Sequence, residues 1–287
     1  MPREKAYNKH DVLLHIFNEK ISEGCRVGDD IHFTLADVNA GIAATGGKKP
    51  TSISNFVLDL TRKKAPISSR LPQQIIDLGY DLRKKTGRAP GTAVKNYCGT
   101  FVYRGKDADG NTIALQDWLE WDEPERTITI PNTVPELVQR FISDDEASLF
   151  SVIDYCNVLS KVFDTDIYRV QSPMKWQPNE IDGYYVGKAG RNVVVYPVEA
   201  KAISTGDDIN LVQMYGQYQT FIRKYSRDDL SLVVRPVAAK MEENGMLLAL
   251  LEVNPLYNTT GNRDANMFIV TEVVRVVLDP PINNWKR

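Results

Sequence analysis

Two carboxylates and an ammonium group fall within twenty residues of one another near the middle of the second half of the chain. Asp182 closes the short segment Pro178-Asn179-Glu180-Ile181, and a stretch containing Gly, Lys and Arg runs from Gly183 to Asn192. Val193 to Val198 then reads as a buried strand of β-branched and aromatic residues, interrupted only by Pro197 near its end. Side chains alternate along a strand, so the one-residue spacing puts Glu199 and Lys201 on the same face. An unpaired buried charge costs several kcal/mol, so an acid and a base at the end of an apolar strand are paired with each other or bound to a metal.

This arrangement resembles the PD-(D/E)XK nuclease superfamily, whose pattern is an Asp, a variable gap and then (Asp/Glu)-x-Lys. Asp182 matches the first position and Glu199-Ala200-Lys201 the second, with Ile181-Asp182 standing where the leading Pro-Asp is usual. The match covers the second half of the chain, and a salt-bridged strand end at the surface has the same composition. What favours the nuclease reading is context: a hairpin before, an apolar strand through and a polar helix after. The resemblance implies Mg2+ held by Asp182, Glu199 and the Ala200 backbone carbonyl, with Lys201 fixing the attacking water. It implies hydrolysis of DNA phosphodiesters, most simply by a bacterial type II restriction endonuclease working as a homodimer on double-stranded DNA. A junction-resolving or repair nuclease, and a non-catalytic DNA-binding regulator, are the alternatives.

The same resemblance draws in neighbouring helices. An acidic residue on the helix before the Asp strand sometimes joins the metal site in this superfamily, and Glu146 is the candidate here, with Asp154 the alternative. A Glu in the first turn also complements the helix dipole, which is the other reading of Glu146. Related nucleases often carry a Gln on the following helix; Gln213 and Gln217, four apart, share a face, and Gln is also good helix filler. Tyr185-Val186-Gly187-Lys188 resembles the second half of the GIY-YIG signature, but Gln171 to Asn179 holds no first half, and that match is set aside.

The elements that must position these groups can be read from periodicity. Ser143 to Phe163 reads as one long helix with Leu149, Phe150, Ile153, Leu159 and Val162 at helical spacing, and Ile167 to Val170 as a strand. Gly206-Asp207-Asp208 caps a helix over 209–224, and Leu230–Val237, Met246–Val253 and Phe268–Leu278 are apolar strands. Helix, three strands, helix and strand predict an α/β core with a mixed sheet covered by helices. Upstream, Asp11 caps a helix to Ile21, Ile31 to Phe33 is a strand, and Thr34 caps a helix to about Ala44. A third helix from Thr51 or Ser52 to Lys63 buries Ile53, Phe56, Val57 and Leu60, giving a helix-turn-helix whose second helix would enter a DNA groove. Tyr80 to Arg88 suits a β-wing, so this smaller α+β region loosely resembles a winged helix. Phe101–Arg104 and Asn111–Leu115 flank Asp107-Ala108-Asp109-Gly110 as a hairpin, and Thr127 to Ile130 is a short strand. The Trp- and Pro-containing connector that holds this last strand places the boundary between a recognition domain, 1–125, and a catalytic domain, 126–287.

Charge divides along the same line. Gly46 to Lys106 carries thirteen Lys and Arg against three Asp, a local +10 in a chain of net charge −2, leaving −12 for the rest. A basic module that meets phosphates and an acidic one that holds a divalent metal is the distribution a nuclease needs, although a solvated basic surface looks alike. The expected DNA contacts are Lys48, Lys49, Ser52, Ser54, Asn55, Arg62, Lys63, Lys64, Arg83, Lys84, Lys85 and Arg88. His10, His15 and His32 all lie near the start, which excludes a histidine-based site beside the acidic cluster. Cys25, Cys98 and Cys156 lack metal or disulfide spacing, no stretch approaches 18 apolar residues, and the polar start has no signal-peptide core. No membrane span and a cytoplasmic location are expected.

Overall fold

The computed structural model describes residues 7–47, 55–62, 65–84, 97–171, 174–176, 179–203, 208–225, 231–259 and 266–282. The chain divides into two compact units, 1–117 with 261–265, and 118–260 with 266–287.

In the first unit, α1 (Lys9–Ser22) is capped by the Asn8 side chain, which accepts from the His10 N–H. The expected cap, Asp11, instead lies in the first turn, where its charge complements the helix dipole. Strand β1 (Ile31–Thr34) leads into α2 (Leu35–Ala44), and Thr34 and Asp37 close a capping box at its start. The predicted third helix is different. Residues 55–61 form successive turns, although Phe56, Val57 and Leu60 are buried as the periodicity requires. The Thr61 hydroxyl donates to Val57 O at 3.0 Å, and Leu60 N–H closes a tighter bond on Val57 O, so local bonding competes with a regular helix there. Short helices α3 (Ile67–Arg70) and α4 (Gln73–Ile76) follow Pro66 and Pro72. Strands β2 (Tyr80–Lys84) and β3 (Tyr97–Tyr103) complete an antiparallel sheet in the order β1-β3-β2. The predicted hairpin over 101–115 reduces to a single bridge between Lys106 and Thr112, because β3 pairs with β1 and β2. That pairing buries Phe101 beside Phe33 and Leu82, which residues 111–115 do not offer.

The second unit is mixed α/β, with a curled mixed sheet and flanking helices. Its elements are β4 (Arg126–Pro131), α5 (Glu136–Gln139), α6 (Glu146–Tyr155), α7 (Val158–Phe163), β5 (Ile167–Gln171), β6 (Met174–Trp176), β7 (Asn179–Ile181), β8 (Gly183–Ala189), β9 (Asn192–Lys201), α8 (Leu211–Tyr225), β10 (Leu232–Val234), β11 (Val237–Glu242), β12 (Gly245–Val253), α9 (Pro255–Thr259) and β13 (Phe268–Asp279). The main sheet runs β4-β13-β12-β11-β9-β8-β5, with β10 also on β9. Strands β5, β8 and β9 are an antiparallel meander, and β10 and β11 then run parallel to β9 after α8.

Alternation along β9 divides the unit. Val194, Tyr196, Val198 and Ala200 pack in the cluster with α6 and α7, whereas Val195 packs with Phe221 of α8 on the opposite side. Two predicted elements are broken. The long helix is α6 and α7, separated at Asn157, whose left-handed backbone (φ 49°) Asn tolerates better than most residues. The strand predicted over 230–237 is β10 plus the start of β11. The register is the same on both sides of the gap, so Pro236 lies beside Pro197, and neither can donate to the ladder.

Candidate functional site

β9 carries the centre of the site. Glu199, one residue before its buried neighbour Ala200, points to the α8 side and is 2% exposed. There Gln213 Nε2 donates to its Oε1 and Oε2 at 2.9 and 3.0 Å, and Gln217 Nε2 donates to Oε2 at 2.9 Å. The four-residue spacing on α8 is what lets both amides reach one carboxylate. Lys201, two residues on, reaches Glu146 Oε1 at 2.7 Å and Glu199 Oε1 at 3.5 Å. Asp182, at the entry to β8, lies across from the end of β9, and the Ala200 N–H points to its Oδ2 at 3.5 Å. The Ala200 methyl is buried on the other face.

Local structure fixes the approach of these elements. Asp145 caps α6 by accepting from Ser148 N–H, which puts Glu146 in the first turn. Asp144 Oδ1 accepts from Ile203 N–H at 2.8 Å and so ties the chain leaving β9 to the start of that helix. Sequence reasoning missed Asp144; its only signal was a second acid beside the cap. Gly183, next to Asp182, lets the Phe150 ring of α6 pack directly on β8, where an added Cβ would stand 2.8 Å from it.

The electrostatics follow from this crowding. Burial, and then repulsion from Asp182, push the Glu199 carboxyl up to about 8, against the opposing pull of Lys201 and Gln217. Burial also raises Asp182, with Lys201 opposing and Glu146 adding to it. The two carboxyls share a hydrogen bond. Burial alone would lower Lys201, but Glu199, Glu146 and Asp182 together hold it above the usual lysine value. Among the described residues, no three His, Cys, Asp or Glu side chains form a ready-made cage. The donor chemistry nevertheless fits Mg2+, which takes oxygen ligands, needs only one or two carboxylates and keeps several waters. A divalent cation would also displace the proton shared by Asp182 and Glu199.

The structure thus brings Asp182, Glu199, Lys201, Glu146, Gln213 and Gln217 together. It separates Asp154, the alternative to Glu146, which pairs with Arg169 and accepts from the Tyr185 hydroxyl at 2.7 Å beside a cavity of about 160 Å³. Of the expected DNA contacts, Asn55 and Arg62 are exposed, and Arg62 stands 3.4 Å from Asp59. Lys84 is half-buried. Arg83 donates to both oxygens of Asp117 at 2.8 and 2.7 Å, so its guanidinium is committed within its own unit. Arg70, part of the same basic excess, is likewise bound to the buried Asp81 at 2.8 Å. Lys48, Lys49, Ser52, Ser54, Lys63, Lys64, Lys85 and Arg88 lie outside the described residues. No helix among the described residues is long and apolar enough to cross a membrane. In comparison with known proteins, no family model, curated protein or solved structure matches the chain.

Proposed function

We propose that the second unit is the catalytic domain of a Mg2+-dependent DNA endonuclease of the PD-(D/E)XK type, and that the protein is a cytoplasmic type II restriction endonuclease acting as a homodimer. The observation that carries this reading is the convergence of Asp182, Glu199, Lys201 and Glu146 on the sheet end reached by β9, within a helix, three-strand meander, helix and parallel-strand connectivity. Asp182 and Glu199 would hold the metal, with Gln213 and Gln217 orienting the Glu199 carboxylate. Bound there, Mg2+ would supply an activated water and neutralise charge developing on the phosphate. The Lys201 ammonium would orient an attacking water and stabilise negative charge developing on the phosphate, and Glu146 fixes the ammonium. In the first unit, the order α1-β1-α2-α3-α4-β2-β3 and the sheet β1-β3-β2 support a winged-helix DNA reader.

The test is incubation of unmodified and methylated plasmid with Mg2+ or EDTA, followed by sequencing of the ends. Site-specific double-strand breaks only with Mg2+ are expected. Structure-dependent cutting without sequence preference would assign a junction or repair nuclease, and binding without cutting a regulator.

A further inference from the structure

Lys240 had no place in the sequence pattern, because its position depends on a register that only the folded sheet displays. In the parallel pairing of β11 with β9, Lys240 lies directly beside Lys201, and Ala238 beside Glu199. Side chains in register on adjacent parallel strands share a face, about 4.8 Å apart. Ala238 packs in the cluster with Leu211 and Met214 of α8, whereas Ala239 and Met241 pack in the cluster with α6 and α7. Lys240 is therefore on the Glu199 and Lys201 side of the sheet. The row continues through Leu247 of β12 to Arg275 of β13.

The three cations of this row are not equivalent. Lys201 is bound to Glu146 and Glu199, and Arg275 donates to both oxygens of Glu242 at 2.9 and 3.3 Å. Lys240, half-buried, makes no ion pair or side-chain hydrogen bond with any described residue. A cation held beside a catalytic cluster with no carboxylate of its own is suited to an anion that arrives with the substrate. Phosphates on one strand recur about every 3.4 Å of helix axis, so an ammonium one strand-spacing from Lys201 reaches the neighbouring phosphate.

We infer that Lys240 binds the DNA phosphate next to the scissile one and sets the path of the cleaved strand along the row from Lys201 toward Arg275. This rests on the nuclease reading for the identity of the scissile phosphate, but not for the contact itself. Lys240 is a positioning residue: it holds the strand and does not touch the reacting atoms.

The experiment compares wild type, Lys240→Ala, Lys240→Arg and, as a control for net charge, Lys161→Ala on the exposed side of α7, using full-length protein. Duplex binding is measured in EDTA across a salt series, and cleavage kinetics in Mg2+. Lys240→Ala should weaken binding about five- to tenfold and lower the slope of log affinity against log salt by about 0.9, the loss of one phosphate contact. Its KM should rise while kcat falls less than about threefold, the pattern of lost uniform binding. Lys240→Arg should restore most of the affinity, and Lys161→Ala should leave the slope unchanged. Wild type that cleaves DNA while Lys240→Ala keeps its slope and KM overturns the Lys240 assignment alone. Wild type that binds but does not cleave, with the slope still reduced in Lys240→Ala, sinks the nuclease reading and keeps the contact. Absence of binding by wild type overturns both.

Discussion

The Lys201 ammonium is 2.7 Å from Glu146 Oε1, so the first turn of a helix and a strand end 55 residues apart in sequence meet in one ion pair. The pair fixes the ammonium, leaving Glu146 without a necessary role as a metal ligand. Glu146→Gln should therefore lower kcat about 10- to 100-fold, as loss of an orienting partner does, while leaving metal affinity within a few-fold. Cleavage rates and isothermal titration with Mg2+ check the two parts separately.

Asp182→Asn, Glu199→Gln and Lys201→Ala should each reduce Mg2+-dependent cleavage by at least about 10³-fold with DNA binding retained. Because the three groups act as a unit, the double variant Glu199→Gln/Lys201→Ala should be little worse than either alone. Plasmid nicking and cutting assays, with thermal melting as a folding control, decide this. Near wild-type cutting by Lys201→Ala and either carboxylate variant would remove the site from this part of the chain.

Without metal, stability should fall as pH rises. Glu199 titrates near 8 in the folded protein against 4.5 unperturbed, because burial and Asp182 disfavour its charge. Between those values the folded state holds more protons than the unfolded one, so the slope of stability against pH is negative from this group, and the cost is complete above about pH 8. The effect is on the order of a few kcal/mol. In EDTA, wild type should melt lower at pH 8.5 than at pH 6, and Glu199→Gln should flatten the difference. A melting temperature insensitive to pH in both proteins would refute the crowding account.

Arg70→Met should destabilise the first unit by roughly 3–5 kcal/mol, since it leaves the fully buried Asp81 without its cation. Arg62, Lys63 and Lys64 reversed to Glu should instead leave melting nearly unchanged and weaken DNA binding with a reduced salt slope. Urea melts and salt-dependent binding distinguish the structural arginine from the expected DNA contacts.

Much of the second unit was legible because its signals are local. The apolar run of β9, the Glu-x-Lys spacing and the paired glutamines of α8 each report a periodicity that the fold keeps. The losses came where a distant partner or a single backbone torsion decided. Apolar spacing runs on through Cys156 and Asn157, so nothing in it marks the left-handed turn that separates α6 from α7. Pro236 alone suggests a weakened strand, and only its alignment with Pro197 explains the gap between β10 and β11. Residues 107–110 are a good turn and so signal a local hairpin for Phe101, yet β1 and β2 bury it better.

The strand that carries Glu199 and Lys201 takes its two edges from opposite directions in the chain: β8 precedes it, whereas β10 and β11 lie at 232–242. Both glutamines that hold Glu199 also come later, and the far end of the sheet closes only when 274–279 pairs with 126–131. During synthesis, then, a ribosome that has already made Asp182, Glu199 and Lys201 has yet to make the strands that flank β9 on one side. Non-local pairing of this kind is slow and completes late. A nascent or truncated chain ending before residue 231 has Asp182, Glu199, Lys201 and both glutamines but lacks β10, β11, β12 and β13, the strands that complete the sheet around β9.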